Sequence, residues 1–360
     1  MGPHHTSRRV KALLLATALV LALTGCGQAA ASGKNGPAAD QGAAATLRLG
    51  YFPNVTHAPA LVGIGEGYFQ AALGATTLKL QAFNAGPSAI EALNAGAIDA
   101  TFVGPSPALN AFVRSQGKSI RIVAGCTSGG AQLVVRDGIN AAADLKGSTL
   151  AVPQQGGTQD VALRAWLQKQ GLTFTGGGAD VSVTPIDNAQ TFQLFSQGRL
   201  DGGWLPEPWS SRLVLDAGAH VLVDEADLWP GGQFLTTVLI VRTDFLAAHP
   251  QTVTALLRGL VQSVDAIAAD PATAQATVNA QIAAAAGQAI SDTVIARAFE
   301  HLHFTVDPLA GTLQTQLANA VAVGATQNAD LHGIYDLRLL NAVLHDAGHA
   351  PVTADGLGQE

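Results

Sequence analysis

The stretch NAGPSAIEALNAGAIDATFVGPSPAL, residues 84–109, decides the fold because it places two helix-opening loops on either side of one short strand. Its first loop is rich in Gly, Pro and Ser, and it leads into a predicted helix that starts at about Ser88 and ends at Gly96. An apolar run then predicts a strand, and the loop after that strand opens a second helix. Ser88 and Ser106 are the candidate N-caps of the two helices.

Both loops of this stretch share one chemical property. Each opens a helix, so unpaired backbone N–H groups and the positive end of the helix dipole face the loop. Such loops can hold an anion without any basic side chain. The same residues also suit ordinary capped turns of an α/β sheet, and residues 84–109 alone leave both interpretations open.

The N-terminus carries an export signal. Three basic residues precede the apolar run Ala12 to Leu23, which is short for a permanent membrane span and predicts a signal peptide over residues 1–25. The run ends in Leu23-Thr24-Gly25-Cys26, which resembles the lipobox of bacterial lipoproteins and predicts lipidation of Cys26. Residues 26–45 lack aromatic and aliphatic anchors and predict a flexible tether. The protein is therefore expected outside the cytoplasm, anchored to the membrane by lipid.

Composition describes a globular, acidic body. The chain has 360 residues, of which 48% are apolar and 12% charged, which suits about two domains with a large core. Removing the signal peptide removes three positive charges and takes the formal net charge from −7 to −10. An acidic body is a poor ligand for nucleic acid, so no nucleic-acid partner is expected. After lipidation of Cys26 only Cys126 remains, and we expect it to be a small buried residue, with no intrachain disulfide.

Much of the first half recurs 102 residues later. Strand and helix patterns alternate from Leu47 onward, which is typical of a largely parallel sheet covered by helices. In one register Thr56 and His57 fall on Thr158 and Gln159, Gly96 falls on Gly198, and Phe102 falls on Trp204. A single register that matches loops, strand ends and helix starts predicts two similar α/β lobes.

Five segments together resemble one protein family. They are the lipobox, YFPNVTHAPALVG from residue 51, the run that begins at residue 84, GGTQDVALRAWL from residue 156 and DGGWLPEPW from residue 201. This set resembles extracytoplasmic substrate-binding proteins of ABC importers, in the nitrate, sulfonate and taurine group, and is most similar to aliphatic-sulfonate-binding proteins. The resemblance covers essentially the whole mature chain.

The resemblance implies a type II periplasmic-binding-protein fold with two α/β lobes, two crossover strands and the ligand in the cleft. The first lobe is expected over residues 46–137 and 234–355, and the second over residues 138–233, with crossings near 136–139 and 232–234. The implied function is capture of a small organic anion, an aliphatic sulfonate first, by a monomer that delivers it to an ABC permease with its ATPase. Taurine, nitrate or a pyrimidine precursor of thiamine are the alternative ligands.

Candidate ligand-binding residues lie in the matched loops of both lobes. Their shared property is a hydroxyl, amide, imidazole or backbone donor at a helix start, or a bulky or acidic side chain in the facing loop. They are Asn54, Thr56, His57, Ser88 and Ser106 in the first lobe, and Gly157, Thr158, Gln159, Asn188, Trp204, Glu207 and Trp209 in the second. No arginine or lysine stands in these loops, which predicts an anion site made of neutral N–H and O–H donors.

Two kinds of candidate keep alternative interpretations. Trp204 and Trp209 could wall the cleft against an alkyl chain or could be core residues. Glu207 could hydrogen-bond a ligand amine, as taurine would require, or could anchor a loop or hinge.

An enzyme is the competing class of function. The chain has no G-x-S-x-G, no H-E-x-x-H and no phosphate-binding glycine loop, so no catalytic residue, metal or cofactor is expected. His301 and His303 are two residues apart and do not share a helix face. A thiamine-pyrimidine biosynthesis enzyme shares the implied fold, but the cleft loops here lack the lysine that family uses. An extracytoplasmic sensor that uses the same clamp is a further alternative.

Overall fold

The computed structural model describes residues 40–360, and the predicted signal peptide and the lipidation site Cys26 lie outside that range. Thirteen strands occur in the described range. They are β1 Thr46–Tyr51, β2 Thr77–Ala82, β3 Ala100–Val103, β4 Ile120–Gly129, β5 Ala131–Val135, β6 Thr149–Val152, β7 Ser182–Pro185, β8 Gly202–Pro206, β9 His220–Asp224, β10 Leu235–Arg242, β11 Leu302–Phe304, β12 Tyr335–Asp336 and β13 Gly358–Gln359.

The same range contains thirteen α-helices. They are α1 Ala58–Gly65, α2 Tyr68–Leu73, α3 Gly86–Asn94, α4 Pro105–Arg114, α5 Thr158–Lys169, α6 Asn188–Ser196, α7 Trp209–Ala217, α8 Thr243–Ala248, α9 Pro250–Ala269, α10 Pro271–Ala286, α11 Asp292–Glu300, α12 Leu313–Ala322 and α13 Arg338–Ala347. Short 3-10 helices add Val55–His57, Ala142–Leu145, Glu225–Leu228, Pro230–Gly232 and Ala310–Thr312.

The first sheet has eight strands in the order β13-β12-β4-β10-β3-β1-β2, with β11 paired to β4. Strand β1 pairs in parallel with β2 and β3, whereas β10 runs antiparallel to both β3 and β4. Because β10 comes more than a hundred residues after β3, this sheet is completed only when the chain returns to it. Strands β1 to β3 therefore end at the same edge, where their following loops meet.

The second sheet has five strands in the order β7-β6-β8-β5-β9. Its strand β6 is parallel to β7 and β8, while β5 is antiparallel to β8 and β9. The 102-residue register is visible in the elements, since α3 begins at Gly86 and α6 at Asn188, and both helices have nine residues. The repeated β-α-β order thus gives both sheets the same arrangement of loops at one edge.

The first crossing between the sheets differs from the prediction. Strand β4 belongs to the first sheet and β5 to the second, so the chain crosses between Gly129 and Ala131, ahead of the predicted segment 136–139. Both glycines there, Gly129 and Gly130, have positive φ, which lets the chain turn from one sheet to the other within two residues. The return crossing lies beside the predicted 232–234, because Phe234 still packs in the second core and Leu235 begins β10.

Separate hydrophobic cores stabilise the two sheets. The largest cluster joins the first sheet to α4, α9 and α13, and it includes Cys126, whose thiol is fully buried. Burial raises the pKa of Cys126 to about 12, so the thiol is a core group and not a nucleophile. Two clusters cover the two faces of the second sheet, and one of them contains Trp166 and Trp204. Helix α9 is long and apolar enough to span a membrane by length, but 56% of its most apolar window is buried inside the protein.

The end of the predicted tether is held by the first sheet's helices. Ala44 is buried, and its N–H donates to Thr252 Oγ1 at 2.8 Å, while the Gln41 N–H donates to the Ala248 carbonyl at 2.7 Å. A flexible tether that extends to residue 45 is therefore wrong for these last residues. Backbone hydrogen bonds, which composition does not reveal, fix them against α8 and α9.

Two N-cap predictions are also wrong. Helix α3 starts at Gly86 with Ala85 as its N-cap, and α4 starts at Pro105 with Gly104 as its N-cap. Both serines lie inside the first turns, Ser88 two residues after the first residue of α3 and Ser106 one residue after the first residue of α4. Proline fits the first turn of a helix, because a backbone N–H at that position has no partner inside the helix and its absence costs nothing. Each helix therefore begins ahead of its serine.

Candidate functional site

A small cavity lies where the loops of the two sheets meet, and we call it the inner cavity. Its wall on the first sheet's side is formed by residues that follow β1, β2 and β3, and its other wall by residues that follow β6, β7 and β8. The lining residues are Phe52, Asn54, Thr56, His57, Asn84, Ala85, Gly86, Gly104 and Pro107 on one side, Pro153, Gln154, Gly157, Thr158, Gln159, Asn188 and Pro206 on the other, and Thr236 and Thr237 from β10. The space left inside is about 30 Å³.

Helices from both sheets begin at this cavity. Gly104 and Gly157 are the N-caps of α4 and α5, and Asn188 is the first residue of α6. Thr158 and Gln159 open α5, so their backbone N–H groups have no partner inside the helix. Among residues 40–360, no Lys, Arg, Asp or Glu side chain lines the cavity. Positive potential at the site therefore comes from backbone groups and helix dipoles, not from formal charges.

His57 is a neutral donor in this wall. Its side chain is 2% exposed, and desolvation lowers its pKa to about 3, so the imidazole carries no charge near neutral pH. The ring stacks on Phe52 with the centroids 4.3 Å apart, and its Nδ1 accepts the Phe52 N–H at 3.4 Å. An accepting Nδ1 leaves the proton on Nε2, and Nε2 makes no hydrogen bond with a residue in the described range.

Asn54 joins the two walls. Its Oδ1 accepts the indole N–H of Trp209 at 3.0 Å, and Trp209 begins α7 of the second sheet. The neighbouring Thr56 donates its backbone N–H to the Glu207 carbonyl at 3.4 Å and accepts from Thr237 Oγ1 at 2.9 Å through its own carbonyl. The bonds to Trp209 and Glu207 cross from one sheet's elements to the other's, whereas Thr237 belongs to the first sheet, so the two crossing bonds show that the walls are in contact and the cleft is closed.

Gly104 and Thr158 meet face to face across the cavity. A Cβ placed on Gly104 would lie 2.2 Å from Thr158 Oγ1. Two non-bonded atoms do not come this close, so one of the two walls would have to move. The φ of Gly104 is −69°, so its backbone does not require glycine. Glycine is needed here for the close approach of the second wall.

Unpaired polar atoms concentrate on the second wall. Thr158 Oγ1, Gln154 Oε1 and Asn188 Oδ1 are buried and find no hydrogen-bond partner among residues 40–360. Buried polar groups are normally satisfied, and an unsatisfied one costs about 1–3 kcal/mol. Three such atoms around one cavity indicate a place where a polar ligand or water supplies the missing bonds. The two amides can also turn to present N–H in place of oxygen.

The structure brings together only part of the predicted site. Asn54, Thr56, His57, Gly157, Thr158, Gln159 and Asn188 line the inner cavity. Ser88 and Ser106 do not. The Ser88 hydroxyl donates to the Ala85 carbonyl at 2.8 Å inside the first turn of α3, and Ser106 lines a different cavity beside Trp166. Ligand contact by the residues that do line the cavity stays a prediction.

Trp204 is a core residue. Its side chain is fully buried against Trp166, and its indole N–H donates to Glu225 Oε2 at 2.7 Å. It lies within β8, where successive side chains alternate between the two faces of the sheet, and its face is the packed one. The interpretation of Trp204 as a cleft wall is wrong. Burial raises the pKa of the partner Glu225 to about 7.

Glu207 is held away from any ligand. It is fully buried, and its Oε1 accepts from Arg297 Nη1 at 3.3 Å while its Oε2 accepts the Ser211 backbone N–H at 3.2 Å. Arg297 also donates to Ser211 Oγ at 2.7 Å and to Gln132 Oε1 at 3.1 Å. Glu207 does not line the inner cavity, so the alternative role as an anchor fits and contact with a ligand amine does not.

This group extends to a second carboxylate. Gln132 Nε2 donates to Asp224 Oδ2 at 2.8 Å, and His301 Nδ1 lies 3.2 Å from the same oxygen. We call the set Gln132, Glu207, Ser211, Asp224, Arg297 and His301 the crossing network, because Glu207 N–H donates to the Gly130 carbonyl at the point where the chain crosses between the sheets. It joins α11 to strands β5 and β9, to helix α7 and to the residue that follows β8.

A larger, outer cavity adjoins the inner one. The two share Asn54, Asn84 and Asn188, and the outer cavity is where Trp209 lies. Sequence reasoning missed the loop residues Gln154 and Gly104 and the threonine pair of β10. For the threonines, nothing in a β-strand pattern marks which residue of the strand faces a cleft. Within residues 40–360 no group of three or more His, Cys, Asp or Glu side chains is placed to hold a metal ion.

Comparisons with known proteins give the family. Residues 40–284 match the NMT1-like family. A putative binding protein of Brucella abortus is 26% identical over 196 residues, 52% of this chain and 57% of that protein. A putative aliphatic sulfonates-binding protein of Escherichia coli K12 is 31% identical over 172 residues, 47% of this chain and 49% of that protein. The chain thus spans about half the length of these curated relatives, and both are named as binding proteins, not as enzymes.

The fold is that of a solved binding protein. The alkanesulfonate-binding protein SsuA from Xanthomonas axonopodis pv. citri, bound to MOPS, superposes with a TM-score of 0.66 at 24% identity, over 79% of this chain and 93% of that one. The predicted two-lobed α/β architecture is confirmed by this similarity. The protein belongs to the NMT1-like family and has the two-sheet, type II periplasmic-binding-protein fold.

Proposed function

We propose that the protein is the extracytoplasmic substrate-binding component of an ABC importer and that it captures a small organic anion, an aliphatic sulfonate, in the inner cavity. The observation that carries the proposal is a closed interlobe cavity at which helices from both sheets begin and which no charged side chain of the described residues 40–360 lines. The named relatives are binding proteins, and one of them is named for aliphatic sulfonates.

The chemistry of the cavity suits a fully ionised oxyanion. A sulfonate is a permanent anion that only accepts hydrogen bonds, and the free donors here are the backbone N–H groups of Thr158 and Gln159, the Thr158 hydroxyl and His57 Nε2. Charge-assisted bonds of this kind are roughly twice as strong as neutral ones. A carboxylate facing the cavity would oppose an anion, and none lines it.

The size of the cavity supports a small head group. About 30 Å³ remains in the closed structure, which is little more than the space of one or two water molecules. A pyrimidine ring would need the walls to move further apart, whereas a compact oxyanion fits between the loops. Glu207, the acid that an amine of taurine would require, is paired with Arg297 outside the cavity. Both observations favour a sulfonate head over a pyrimidine ring, and a plain sulfonate over taurine.

The mechanism follows from the contacts between the walls. An anion bound to one wall would supply hydrogen bonds to the other and shift an open-closed equilibrium toward the closed form. The closed form would then dock on the permease. Export by the predicted signal peptide and anchoring through Cys26 would place this capture outside the cytoplasmic membrane.

Calorimetry with a ligand panel tests the proposal. The purified protein is titrated with methanesulfonate, longer alkanesulfonates, taurine, nitrate and a pyrimidine precursor of thiamine. We expect one-to-one binding of at least one alkanesulfonate. If no sulfonate gives heat while a pyrimidine binds clearly, the assignment is wrong.

A matched pair of variants locates the site. Thr158→Ala removes a hydroxyl that is buried and unpaired in the cavity, and we expect it to weaken sulfonate binding by about tenfold, or about 1.5 kcal/mol. Ser88→Ala is the control, because the Ser88 hydroxyl is bonded inside its own helix. Equal effects of the two substitutions would place the ligand elsewhere.

A further inference from the structure

The outer cavity is large and partly apolar. Its volume is about 310 Å³, roughly ten times that of the inner cavity, and Phe83, Phe192 and Trp209 are among the residues that line it. Asn54 and Asn188 line both cavities, so the two spaces lie side by side along one wall. A ligand whose anionic head fills the inner cavity can extend only a short way before its remaining atoms need this second space.

Arg212 is a cation that lines the outer cavity, and its side chain makes no hydrogen bond with residues 40–360. Its guanidinium lies 4.5 Å from the ring centroid of Phe192 and 4.8 Å from that of Trp209, which holds it in place by cation–π contact. Its ion-pair partner is the partly exposed Asp216, whose Oδ2 is 3.9 Å from Arg212 Nε, so the pair is weak and lies beyond hydrogen-bond distance. Among residues 40–360, no acceptor receives a hydrogen bond from this side chain, and desolvation by burial lowers its pKa.

The one acid in the same cavity is already engaged. Asp187 is the N-cap of α6, and its Oδ1 accepts the Ala189 N–H at 2.9 Å. Its charge is thereby placed at the positive end of a helix dipole, which stabilises it. Of the two charged side chains among the lining residues of the outer cavity, Asp187 caps a helix and Arg212 makes no hydrogen bond, so Arg212 is the one available to a ligand.

We propose that the outer cavity binds the tail of the ligand and that Arg212 recognises a hydrogen-bond acceptor, most simply a carboxylate, at the far end of that tail. The substrate class is then a short sulfonate with a second acidic group, a sulfoalkanoate. The aromatic side chains contact the methylene groups between the two ends. This inference rests on the proposed function, since it takes the sulfonate head to be in the inner cavity.

The test compares tails that differ only in their end group. Calorimetry uses propane-1-sulfonate, 3-sulfopropanoate and 3-aminopropane-1-sulfonate, together with the four- and five-carbon members of each series and with methanesulfonate as the tail-free probe. We expect the sulfoalkanoate to bind about tenfold to a hundredfold more tightly than the alkanesulfonate of the same length, and the aminosulfonate to bind most weakly.

Two variants assign the preference to one side chain. Arg212→Gln is expected to reduce the ratio between sulfoalkanoate and alkanesulfonate to about one while leaving methanesulfonate affinity unchanged. Arg199→Gln is the matched control, because Arg199 is an exposed arginine of the same lobe that does not line either cavity. It should keep the wild-type ratio.

The outcomes separate the two proposals. If the sulfonates bind but the end group makes no difference, or if the aminosulfonate binds best, the tail inference is wrong and the proposed function stands. A ratio that survives Arg212→Gln also overturns the role of Arg212. If none of the sulfonates binds, methanesulfonate included, the proposed function fails and the inference fails with it.

Discussion

The inner cavity and the crossing network both join the two lobes, yet they are built from opposite materials. The inner cavity is lined by neutral donors and by glycine, and several of its polar atoms have no partner. The crossing network buries a carboxylate and a guanidinium, Glu207 and Arg297, and satisfies them with Ser211 and Gln132. The inner cavity therefore leaves several polar atoms without a hydrogen-bond partner, whereas the crossing network supplies partners for its buried charges.

The difference suits two tasks. Weak, neutral contacts suit a surface at which two lobes separate and close again. When such contacts break, no charge loses the partner that stabilised it. Buried ion pairs behave differently, since removal of one partner leaves an uncompensated charge and costs about 3–5 kcal/mol. The crossing network therefore fixes the point about which the lobes are joined, and the inner cavity lies where they can separate.

The largest effect should come from breaking the crossing network. Arg297→Ala leaves Glu207 buried without its counter-ion, and we expect the free energy of unfolding to fall by about 3–5 kcal/mol in urea denaturation at neutral pH. Replacement of an exposed arginine, Arg199→Ala, should change it by no more than about 0.5 kcal/mol. A loss below about 1 kcal/mol in Arg297→Ala would show that Glu207 does not depend on its partner.

A smaller effect should come from the inner cavity, and it should appear in binding and not in stability. Gly104→Ala places a Cβ against Thr158 only when the walls are closed, so we expect ligand affinity to fall by about thirtyfold to a hundredfold, or about 2–3 kcal/mol. Unfolding of the ligand-free protein should change little.

Two further variants control this result. Gly177→Ala adds the same methyl group where no atom lies within 4 Å and should leave affinity unchanged. Gly104→Ala combined with Thr158→Ala removes the clashing hydroxyl, so the double variant should bind no worse than Thr158→Ala within about threefold. If Gly104→Ala binds as the wild type does, the two walls do not approach as the structure has them.

The smallest effect is a dependence on pH that the neutral cavity should show. Burial lowers the pKa of His57 to about 3 in the folded protein, whereas the unfolded value is 6.5. The unfolded chain therefore takes up a proton first as the pH falls, so the stability that His57 contributes is complete above about pH 6.5 and is lost toward about pH 3. Between pH 7 and pH 5 the loss should be about 2 kcal/mol.

A variant isolates this contribution from other titrating groups. His57→Gln keeps a polar side chain but does not titrate, so the wild type minus His57→Gln difference in unfolding free energy should shrink as the pH falls from 7 to 5. Urea denaturation at matched ionic strength measures it. A difference that stays constant over this range would mean that His57 is charged or exposed in the folded protein.

Local sequence patterns predict the strands of the sheets better than they predict the residues at the two walls of the inner cavity. Strand β1 begins at Thr46, one residue before Leu47, where the strand and helix pattern is predicted to begin, because alternating apolar residues and a following helix are strong local signals. Serine is a favoured N-cap and predicts starts at Ser88 and Ser106, whereas Pro87 and Pro105 indicate the earlier starts that α3 and α4 have.

Side chains with distant partners were harder to predict. Glu207 is paired with Arg297, which lies 90 residues further along the chain, so no spacing could reveal that the acid is engaged. Trp204 occupies the packed face of β8 and Trp209 the start of α7, a difference that depends on how strand and helix orient side chains in the folded sheet. The 102-residue register identified which loops face each other but not which of their side chains enter the cavity.

The lack of formal charge around the inner cavity has a kinetic consequence. Attraction between an anion and a dipole falls with the square of their distance, faster than attraction between two charges. The attraction of the walls for a bound anion would therefore become weak within the first few ångströms of wall separation. The residence time of a ligand would then be set by the rate at which the lobes open. For a head group held in the inner cavity, added salt would change that rate little, because no charged side chain of residues 40–360 lines this cavity.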